Sequence, residues 1–324
     1  MNPSTSQSEF HVVFGAGPLG QSVARELVQR GKLVRMVNRS GKAPLGLPAN
    51  VSVIAADVYN RDAARAAARG AAVVYQCTNA PYDKWPEMFP PLQANITEAA
   101  ISANATLVVA DNLYAYGDVN GPLHEGLPYA AHTRKGRTRA QMAEAVLTAH
   151  NTGKVRVAIA RGSDFYGPGV LESAAGDRMF GRALQGKAAE VLGNIDAPHT
   201  YTFIDDFGKA LVVLGEREAA LGQIWHASNA ETVTTRQFVA MVYEELGQPP
   251  KVAVMGRAML WIGGLFIPAA REIVEMMYEF EKPFVVDSNK FERAFGIKGT
   301  PLREAVRQTV AWYQQWAGAD ALKS

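Results

Sequence analysis

The sequence has a single cysteine, Cys77, and so cannot form an intramolecular disulfide or a cysteine-rich zinc site. Neither charge is in excess, because 33 Lys and Arg residues oppose 31 Asp and Glu residues, for a net charge of +2. With no long basic run, electrostatic binding of nucleic acid is not expected. No grouping of His, Asp or Glu has the spacing of metal ligands, so no metal site is predicted.

Long hydrophobic runs are also missing. The longest uncharged apolar stretch, Ala258–Ala270, is shorter than the roughly 20 residues that a transmembrane helix needs. It predicts a buried helix or the wall of an apolar pocket, with contact at a membrane surface as the alternative. The Ser-rich segment Met1–Glu9 lacks the apolar core of a secretory signal. We therefore expect a cytoplasmic protein that has no membrane partner.

What the sequence does contain is a regular alternation of β-branched and Ala-rich runs. Its 324 residues are 48% hydrophobic and 20% charged, which is typical of a folded chain with one large domain or two unequal lobes. Helices are predicted at Leu19–Arg30 and Arg61–Arg69. Strands are predicted at Phe10–Phe14, Leu33–Val37, Val51–Ala55, Ala72–Gln76, Thr106–Ala110 and Val155–Ala160. This order favours an α/β fold, a Rossmann-type doubly wound parallel sheet.

The first predicted turn carries the clearest chemical signal. The first strand runs directly into Gly15-Ala16-Gly17-Pro18-Leu19-Gly20, and a helix follows. In such a turn Gly15 permits the tight bend, Gly17 lets the backbone approach a pyrophosphate, and Gly20 lets the helix pack against the sheet. Pro18 suits a first helical turn, and the phosphates would lie at the helix N-terminus. A glycine turn without any ligand is the alternative.

The end of the second strand indicates which dinucleotide would bind. An acidic residue there favours NAD, but this chain has Asn38-Arg39-Ser40, in which Arg39 could pair with a 2′-phosphate. We therefore expect NADP(H), with NAD(H) possible and a solvated Arg39 as the alternative. Asp57 could contact the adenine or cap the next helix. The residues expected near the nicotinamide ribose are Cys77, Thr78 and Asn79.

Several segments resemble the extended short-chain dehydrogenase/reductases, also called the NAD-dependent epimerase/dehydratase family, over nearly the whole chain. Besides the glycine turn, the similar segments are Tyr116-Gly117, Arg161–Gly169, Tyr201–Asp206, Asp287–Gly296, Thr300–Leu302 and Trp312-Tyr313. The resemblance implies an NAD(P)-binding domain over residues 1–165, rejoined by about 203–230. It also implies a smaller, mainly C-terminal α/β substrate lobe over 166–202 and 231–324, an active site between the two, and a possible homodimer.

The catalytic positions depart from the family pattern, in which a Y-x-x-x-K pair begins a helix. With Gln141 as the anchor, Thr133 occupies the Tyr place and Arg137 the Lys place. If Lys135 is taken as the Lys instead, Ala131 occupies the Tyr place, so neither register gives the pair. The place of the family's Ser/Thr is taken by Asn112. The resemblance therefore identifies an atypical member that lacks the usual acid/base pair.

Other residues could replace that pair. Arg137 could keep the role of binding the ribose but cannot donate a proton at neutral pH. Thr133 could donate a hydrogen bond, and Asn112 could orient a carbonyl or only hold its own turn. Tyr114 is the first choice for a displaced proton donor, with packing under the loop as the alternative. The other acid/base candidates are Asp111, Tyr116, Tyr129 and His132. The basic run Arg134, Lys135, Arg137 and Arg139 is expected to be mostly a solvated helix face.

The segment Ala80–Leu92 has four prolines, which predicts an aromatic lid over the substrate rather than a regular helix. Where nucleotide-sugar members of the family carry an Arg, this chain has His199-Thr200. That difference indicates a smaller and more apolar substrate. The candidate substrate contacts are Trp85, Tyr129, Phe165, Tyr166 and His199. His199 is a candidate pocket donor, with a structural role as the alternative.

Three functions remain open at this point. The first is an NAD(P)-dependent oxidoreductase that reduces a carbonyl or an activated double bond of a small apolar substrate. The second is an NAD(P)-dependent epimerase, isomerase or dehydratase with a tightly held cofactor. The third is a non-catalytic dinucleotide-binding sensor, which the missing Y-x-x-x-K pair suggests.

Overall fold

The computed structural model describes residues 10–263 and 272–321. The chain forms two compact units. Unit 1 comprises the chain up to Asp111 together with Gln141–Ala160 and Gly208–Ile224. Unit 2 comprises Asn112–Ala140, Arg161–Phe207 and the chain from Trp225 onward. The domain ranges given above, which rest on the resemblance, stay a prediction.

Strands and helices alternate through the first half of the chain. The strands are β1 (Phe10–Phe14), β2 (Leu33–Asn38), β3 (Ser52–Ala55), β4 (Val73–Gln76), β5 (Thr106–Asn112), β6 (Arg156–Gly162), β7 (Asp164–Tyr166), β8 (Ala189–Leu192), β9 (Pro198–His199), β10 (Tyr201–Phe203), β11 (Ile224–His226), β12 (Val233–Thr234) and β13 (Val252–Met255). The helices are α1 (Pro18–Gln29), α2 (Arg61–Ala68), α3 (Trp85–Ala103), α4 (Arg134–Asn151), α5 (Phe180–Leu184), α6 (Ile204–Glu216), α7 (Thr235–Glu245), α8 (Arg257–Gly263), α9 (Tyr278–Glu281), α10 (Asn289–Phe295) and α11 (Leu302–Ala321).

A seven-stranded sheet in the order β11-β6-β5-β4-β1-β2-β3 is built mainly from unit 1. β1 pairs in parallel with both β2 and β4, β2 pairs with β3, and β4 pairs with β5. Because the strand order reverses direction beside β1, the connecting helices lie on both faces. The predicted Rossmann-type α/β fold is confirmed, and the six predicted strands are present with small differences at their ends.

The core of unit 1 follows from the periodicity of its sequence. In β1, Val12, Val13 and Phe14 are fully buried, as expected for a central parallel strand that is covered on both faces. On α1 the buried apolar side chains include Val23 and Leu27, which lie one helical turn apart. The helix packs this face against β1 and β2.

The predicted lid over Ala80–Leu92 is wrong, because most of that segment is the start of α3. Pro90 and Pro91 lie inside this helix. The buried residues Trp85, Phe89, Leu92 and Ile96 follow one another at helical spacing, so packing of this face outweighs the cost of two interior prolines. The Trp85 indole is buried and donates a hydrogen bond to the Ala80 carbonyl at 3.1 Å. Trp85 is therefore a core residue of unit 1.

Unit 2 contains three two-stranded sheets, β10-β7, β12-β9 and β13-β8. An aromatic core joins them to the surrounding helices, and it includes Tyr166, Phe180, Phe238 and Tyr313. The Tyr166 side chain, predicted to contact substrate, is fully buried in this core. Burial also raises the pKa of Tyr166 well above its usual value. The prediction failed because the side chain of the last residue of a short strand points to the packed face.

The apolar stretch Ala258–Ala270 is only partly described. Within α8, Leu260 is buried, but Met259, Trp261 and Ile262 are more than half exposed. The described part is therefore helical, as predicted, but it is not a buried helix. Residues 264–270 of the stretch lie outside the described residues. Across the parts of the chain that the structure describes, no helix is long and apolar enough to cross a membrane.

Candidate active site

The glycine turn, Gly15–Gly20, connects β1 to α1 through a backbone that leaves no room for a side chain at Gly15 or Gly20. Gly15 has a φ of +110°, and a Cβ there would lie 2.6 Å from the Cys77 carbonyl oxygen. A Cβ on Gly20 would lie 2.0 Å from the Gly15 carbonyl oxygen. At Gly17 the position of a Cβ has no described atom within 4 Å beyond its chain neighbours. The turn is thus closed at both ends and open at Gly17, where a pyrophosphate could lie.

The N-terminus of α1 is available to an anion. Gly17 is the N-cap and supplies no side-chain oxygen, Pro18 occupies the first turn, and no acidic residue lies in that turn. The first backbone N–H groups of a helix have no intrahelical acceptor, and the helix dipole favours negative charge there. These features fit the phosphates of a dinucleotide, as the sequence predicted.

The turn after β2 is held by its own side chains. Asn38 Oδ1 accepts hydrogen bonds from the Gly41 N–H at 2.6 Å and from the Ser40 hydroxyl at 3.2 Å. Asp57 likewise accepts from the Tyr59 N–H at 3.0 Å. Asn38, Ser40 and Asp57 therefore have local structural roles. Arg39 is exposed at the tip of the turn, where its guanidinium could meet a phosphate.

The residues that follow β4 approach the glycine turn from a neighbouring strand. Burial raises the pKa of the Cys77 thiol well above its usual value, so Cys77 is not a thiolate nucleophile. The buried hydroxyl of Thr78 makes no hydrogen bond to any residue that the structure describes. Asn79 is exposed. An orphaned hydroxyl at the carboxyl end of a parallel strand fits a role in holding the cofactor.

The start of α4 has no acid/base pair in the places where the family has one. The Thr133 hydroxyl accepts a hydrogen bond from the Gly136 N–H at 3.1 Å and so caps the helix. Arg137 is exposed and donates to the His132 carbonyl. Lys135, in contrast, is only 1% exposed and forms ion pairs with the carboxylates of Glu272 and Glu275.

The prediction of a solvated basic face on α4 is therefore only partly right. Arg134 and Arg137 are exposed, whereas Lys135 and Arg139 are buried. The hydrogen bond and charge of Lys135 lower the pKa of Glu275 below its usual value, although the burial of Glu275 alone would raise it. The Lys135 ammonium thus serves an internal ion pair.

A buried charge network surrounds Arg161 in unit 2. The Arg161 guanidinium lies 4.6 Å from the ring centre of Tyr116 and 5.0 Å from that of Tyr129, and it donates to the Tyr129 hydroxyl at 3.0 Å. Burial, and secondarily Arg161, lowers the pKa of His226 to about 3. The neutral ring donates from Nδ1 to the Asp287 carbonyl and accepts from the Tyr116 hydroxyl at 2.9 Å. Tyr129 and Tyr116 are thereby held in place by this network.

Unit 2 also contains a cavity of about 130 Å³, called the unit 2 cavity below. Its lining residues come from the end of β5, from the segment around β7 and from the region of α9. They are Asn112, Leu113, Tyr114, Gly162, Ser163, Asp164, Phe165, Glu172, Ser173, Ala174, Glu279 and Phe284. Three predicted site residues, Asn112, Tyr114 and Phe165, are therefore brought together. Asn112 Oδ1 accepts from the Tyr114 N–H at 3.2 Å, which supports the turn-holding alternative for Asn112.

The sequence analysis missed the carboxyl groups of this cavity. Asp164 occupies the place of the Asn in the family's R-x-x-N segment, a signal that was present but not used. His199, predicted as a pocket donor or a structural residue, is buried with its Nε2 2.7 Å from Asp164 Oδ2. Glu279 is 2% exposed and had no local signal in the sequence. His199 thus acts on the cavity by holding Asp164.

The described residues contain no cluster of three or more His, Cys, Asp or Glu side chains that could hold a metal ion.

Comparisons with known proteins agree with this geometry. A model of the NAD dependent epimerase/dehydratase family matches residues 12–227. No curated protein matches the chain in sequence.

Solved structures of similar fold include dTDP-glucose 4,6-dehydratase from Bacillus anthracis in complex with NAD (TM-score 0.78, 15% identity, 95% of this chain and 97% of that one). An epimerase from Methanothermobacter thermautotrophicus is similar with a TM-score of 0.79 at 16% identity, over 96% of this chain and 94% of that one. UDP-glucose 4-epimerase from Thermus thermophilus, in complex with NAD, gives 0.76 at 16% identity, over 94% and 99%. The family match covers well over half of the chain, and the chain therefore belongs to the NAD-dependent epimerase/dehydratase family, a family of enzymes.

Proposed function

We propose that this enzyme binds NADP(H) at the glycine turn and reduces a carbonyl or an activated double bond of a small, largely apolar substrate. The steric closure around Gly15 and Gly20, the opening at Gly17 and the uncapped N-terminus of α1 support a dinucleotide. The family description and the NAD-bound relatives agree with that class of cofactor. When bound, a reduced nicotinamide supplies a hydride.

The preference for NADP(H) rests on the turn after β2. That turn carries no carboxylate to bond the adenosine ribose, and the Asp57 carboxylate is engaged by the Tyr59 N–H. Arg39 is exposed there and could form charge-assisted hydrogen bonds with a 2′-phosphate. The expected cofactor is therefore the phosphorylated dinucleotide.

The proposal favours reduction over epimerisation or dehydration because of the hydrogen bond that Thr133 makes and the ion pairs that Lys135 makes. An epimerase or dehydratase that begins by oxidising an alcohol needs a base to remove the hydroxyl proton. In the family's Tyr place, the Thr133 hydroxyl is used to cap α4, and the nearby Lys135 ammonium is held between two carboxylates. Reduction instead needs a proton donor for the oxygen or carbon that receives the electrons, and a carboxyl group that keeps its proton could be that donor.

The size of the unit 2 cavity supports a small substrate. Its volume of about 130 Å³ is below the roughly 300 Å³ at which pockets for drug-sized ligands begin. Asp164 and Glu172 line it, and like-charge repulsion would oppose the diphosphate of a nucleotide sugar.

Epimerase or dehydratase activity is the second candidate, because the matching family and the similar structures carry those names. The two are separated by incubating the enzyme with NADPH and either a panel of small ketones and enones or UDP-glucose and dTDP-glucose. We expect stoichiometric NADPH oxidation with a small carbonyl compound and unchanged nucleotide sugars. Conversion of a nucleotide sugar without net change in the cofactor would contradict the proposal. So would saturable NADPH binding with no turnover on either set.

A further inference from the structure

One acidic side chain of the unit 2 cavity has an oxygen atom with no hydrogen-bond partner among the described residues. Glu279 lines the cavity, its residue is 2% exposed, and its Oε1 makes no hydrogen bond to any residue that the structure describes. A buried carboxylate without a partner is costly, and a carboxyl group avoids most of that cost by keeping its proton. Burial raises the pKa of Glu279 well above its usual value, and the nearby Asp164 carboxylate raises it further.

Asp164 and Glu279 have different surroundings although they line the same cavity. Asp164 is 2.7 Å from His199 Nε2, and the His199 ring lies between the rings of Phe280 and Phe284 at centroid distances of 5.3 and 5.2 Å. Asp164 therefore has a donor that stabilises its negative charge. Glu279 Oε1 has no such partner among the residues that the structure describes, so the two acidic side chains of the cavity differ in their hydrogen bonding.

The remaining walls indicate the class of ligand. Leu113, Phe165 and Phe284 provide apolar surface, and the cavity is close in size to a cavity of about 150 Å³ that binds benzene. A compound of a single ring fits that space. The one polar group that the compound needs is a hydrogen-bond acceptor for the proton of Glu279, and a carbonyl oxygen is such an acceptor.

We propose that the unit 2 cavity binds a small ketone or enone and that Glu279 is the catalytic residue that donates the proton to it. This inference rests on the proposed function for its chemistry and on the geometry of unit 2 for its site. It replaces Tyr114, which lines the same cavity, as the proton donor.

The proton transfer balances as follows for a ketone. The carbonyl carbon would accept a hydride, which a reduced nicotinamide would supply when bound, and the electron pair of the C=O π bond would move to oxygen. That oxygen takes the proton from Glu279, so the carboxyl O–H bond breaks and the alcohol O–H bond forms. Glu279 is left as a carboxylate beside Asp164 and regains its proton from water before the next turnover.

The first test uses cyclohexenone as the probe, the full chain without cofactor, and infrared difference spectroscopy. A carbonyl band from a protonated carboxyl group should be present in the wild type and should shift when cyclohexenone is added. The band should be missing from Glu279→Gln and retained in Glu281→Gln. Glu281 is a matched control, because it lies on the same helix but is exposed and paired with Arg257.

The second test measures binding and turnover separately. Glu279→Gln keeps a hydrogen-bond donor, so the Kd for cyclohexenone without cofactor should change less than about 3-fold, while kcat with NADPH should fall at least about 100-fold. Glu281→Gln should retain both values.

The outcomes separate the two proposals. If the wild type oxidises no NADPH with cyclohexenone or the wider panel, the proposed function fails. The infrared band of the carboxyl group and the Kd for cyclohexenone still decide whether the unit 2 cavity binds the probe beside a protonated Glu279. A wild type without the band, a band that cyclohexenone does not shift, or full turnover by Glu279→Gln would overturn the role of Glu279. A Glu279→Gln variant that did not fold would leave the wild-type band and its shift as the deciding measurement.

Discussion

The glycine turn of unit 1 and the cavity of unit 2 are built in different ways. The turn consists of six consecutive residues whose backbone shape makes the site. A side chain at Gly15 or Gly20 would clash with that backbone. The cavity takes its polar groups from segments that are far apart in the sequence, such as Asp164 and Glu279, and it works through side chains. A site formed by the backbone of consecutive residues can be predicted from the sequence. A site formed by side chains that are far apart in the sequence can be identified only once the fold is known.

The largest effect is expected in unit 2, where Lys135 is buried between two carboxylates. Lys135→Met should lower the free energy of unfolding at pH 7 by about 3 to 5 kcal/mol, because Glu272 and Glu275 lose their buried partner and keep only the exposed Arg134. Urea unfolding followed by circular dichroism measures this change. Arg303→Met is the control, since its pair with Glu244 is exposed.

The same variant should also change the acid dependence of stability. The folded pKa of Glu275 lies below its usual 4.5, so its contribution is present above pH 4.5 and is lost as the pH falls through the folded pKa. Lys135→Met removes the side-chain hydrogen bond and the charge that lower this pKa most and keeps only the backbone hydrogen bonds, so its loss of stability below pH 4.5 should be smaller than that of the wild type. An unchanged acid dependence would mean that the ion pair is not formed in solution.

In unit 1, two glycine substitutions should separate folding from binding. Gly20→Ala should destabilise the protein by about 3 kcal/mol, because its Cβ would overlap the Gly15 carbonyl oxygen. Gly17→Ala should change stability by less than about 0.5 kcal/mol and still weaken NADPH binding about 10-fold, because its methyl group enters the open space of the turn. Thermal unfolding and fluorescence titration measure the two effects.

Gly256→Ala is the matched control for both glycine variants, because the position of its Cβ also has no described atom within 4 Å beyond its chain neighbours. It should change neither stability nor NADPH affinity. If Gly17→Ala bound NADPH as tightly as Gly256→Ala, the turn would not be the phosphate site.

The smallest effect is expected at Thr133. Thr133→Ala should cost about 1 kcal/mol through the lost cap of α4, and Thr133→Ser should restore most of it, because serine keeps the oxygen that accepts from Gly136. Turnover per folded molecule should be the same in both variants. A loss of turnover in Thr133→Ala that Thr133→Ser restores, at equal stability, would mean that the Thr133 hydroxyl takes part in the reaction.

The central sheet and the glycine turn could be predicted because their signals are local. The alternation of β-branched and Ala-rich runs predicted the strands, and the spacing of Gly15, Gly17 and Gly20 predicted the turn. The error at α3 arose because the interior prolines were given more weight than the helical spacing of Trp85, Phe89 and Leu92. In that helix, tertiary packing outweighs local propensity.

The candidate site in unit 2 was predicted only in part. Asn112, Tyr114 and Phe165 lie beside strand ends, where ligand sites of α/β sheets are expected. Glu279 could not be predicted, because its burial and its lack of a partner depend on contacts made far along the chain. The same holds for Lys135, whose carboxylate partners lie near the other end of the sequence.

The most direct test of the account is a parallel fluorescence titration of the purified protein with NADPH and NADH. We expect NADPH to bind at least about 10-fold more tightly, and Arg39→Ala to remove that difference while Arg65→Ala, an exposed arginine of the same unit, retains it. Equal affinities in the wild type, or a preference for NADH, would contradict the assignment of Arg39 to a 2′-phosphate. If neither dinucleotide bound and none were released on denaturation, the conclusion that the glycine turn holds a dinucleotide would be wrong.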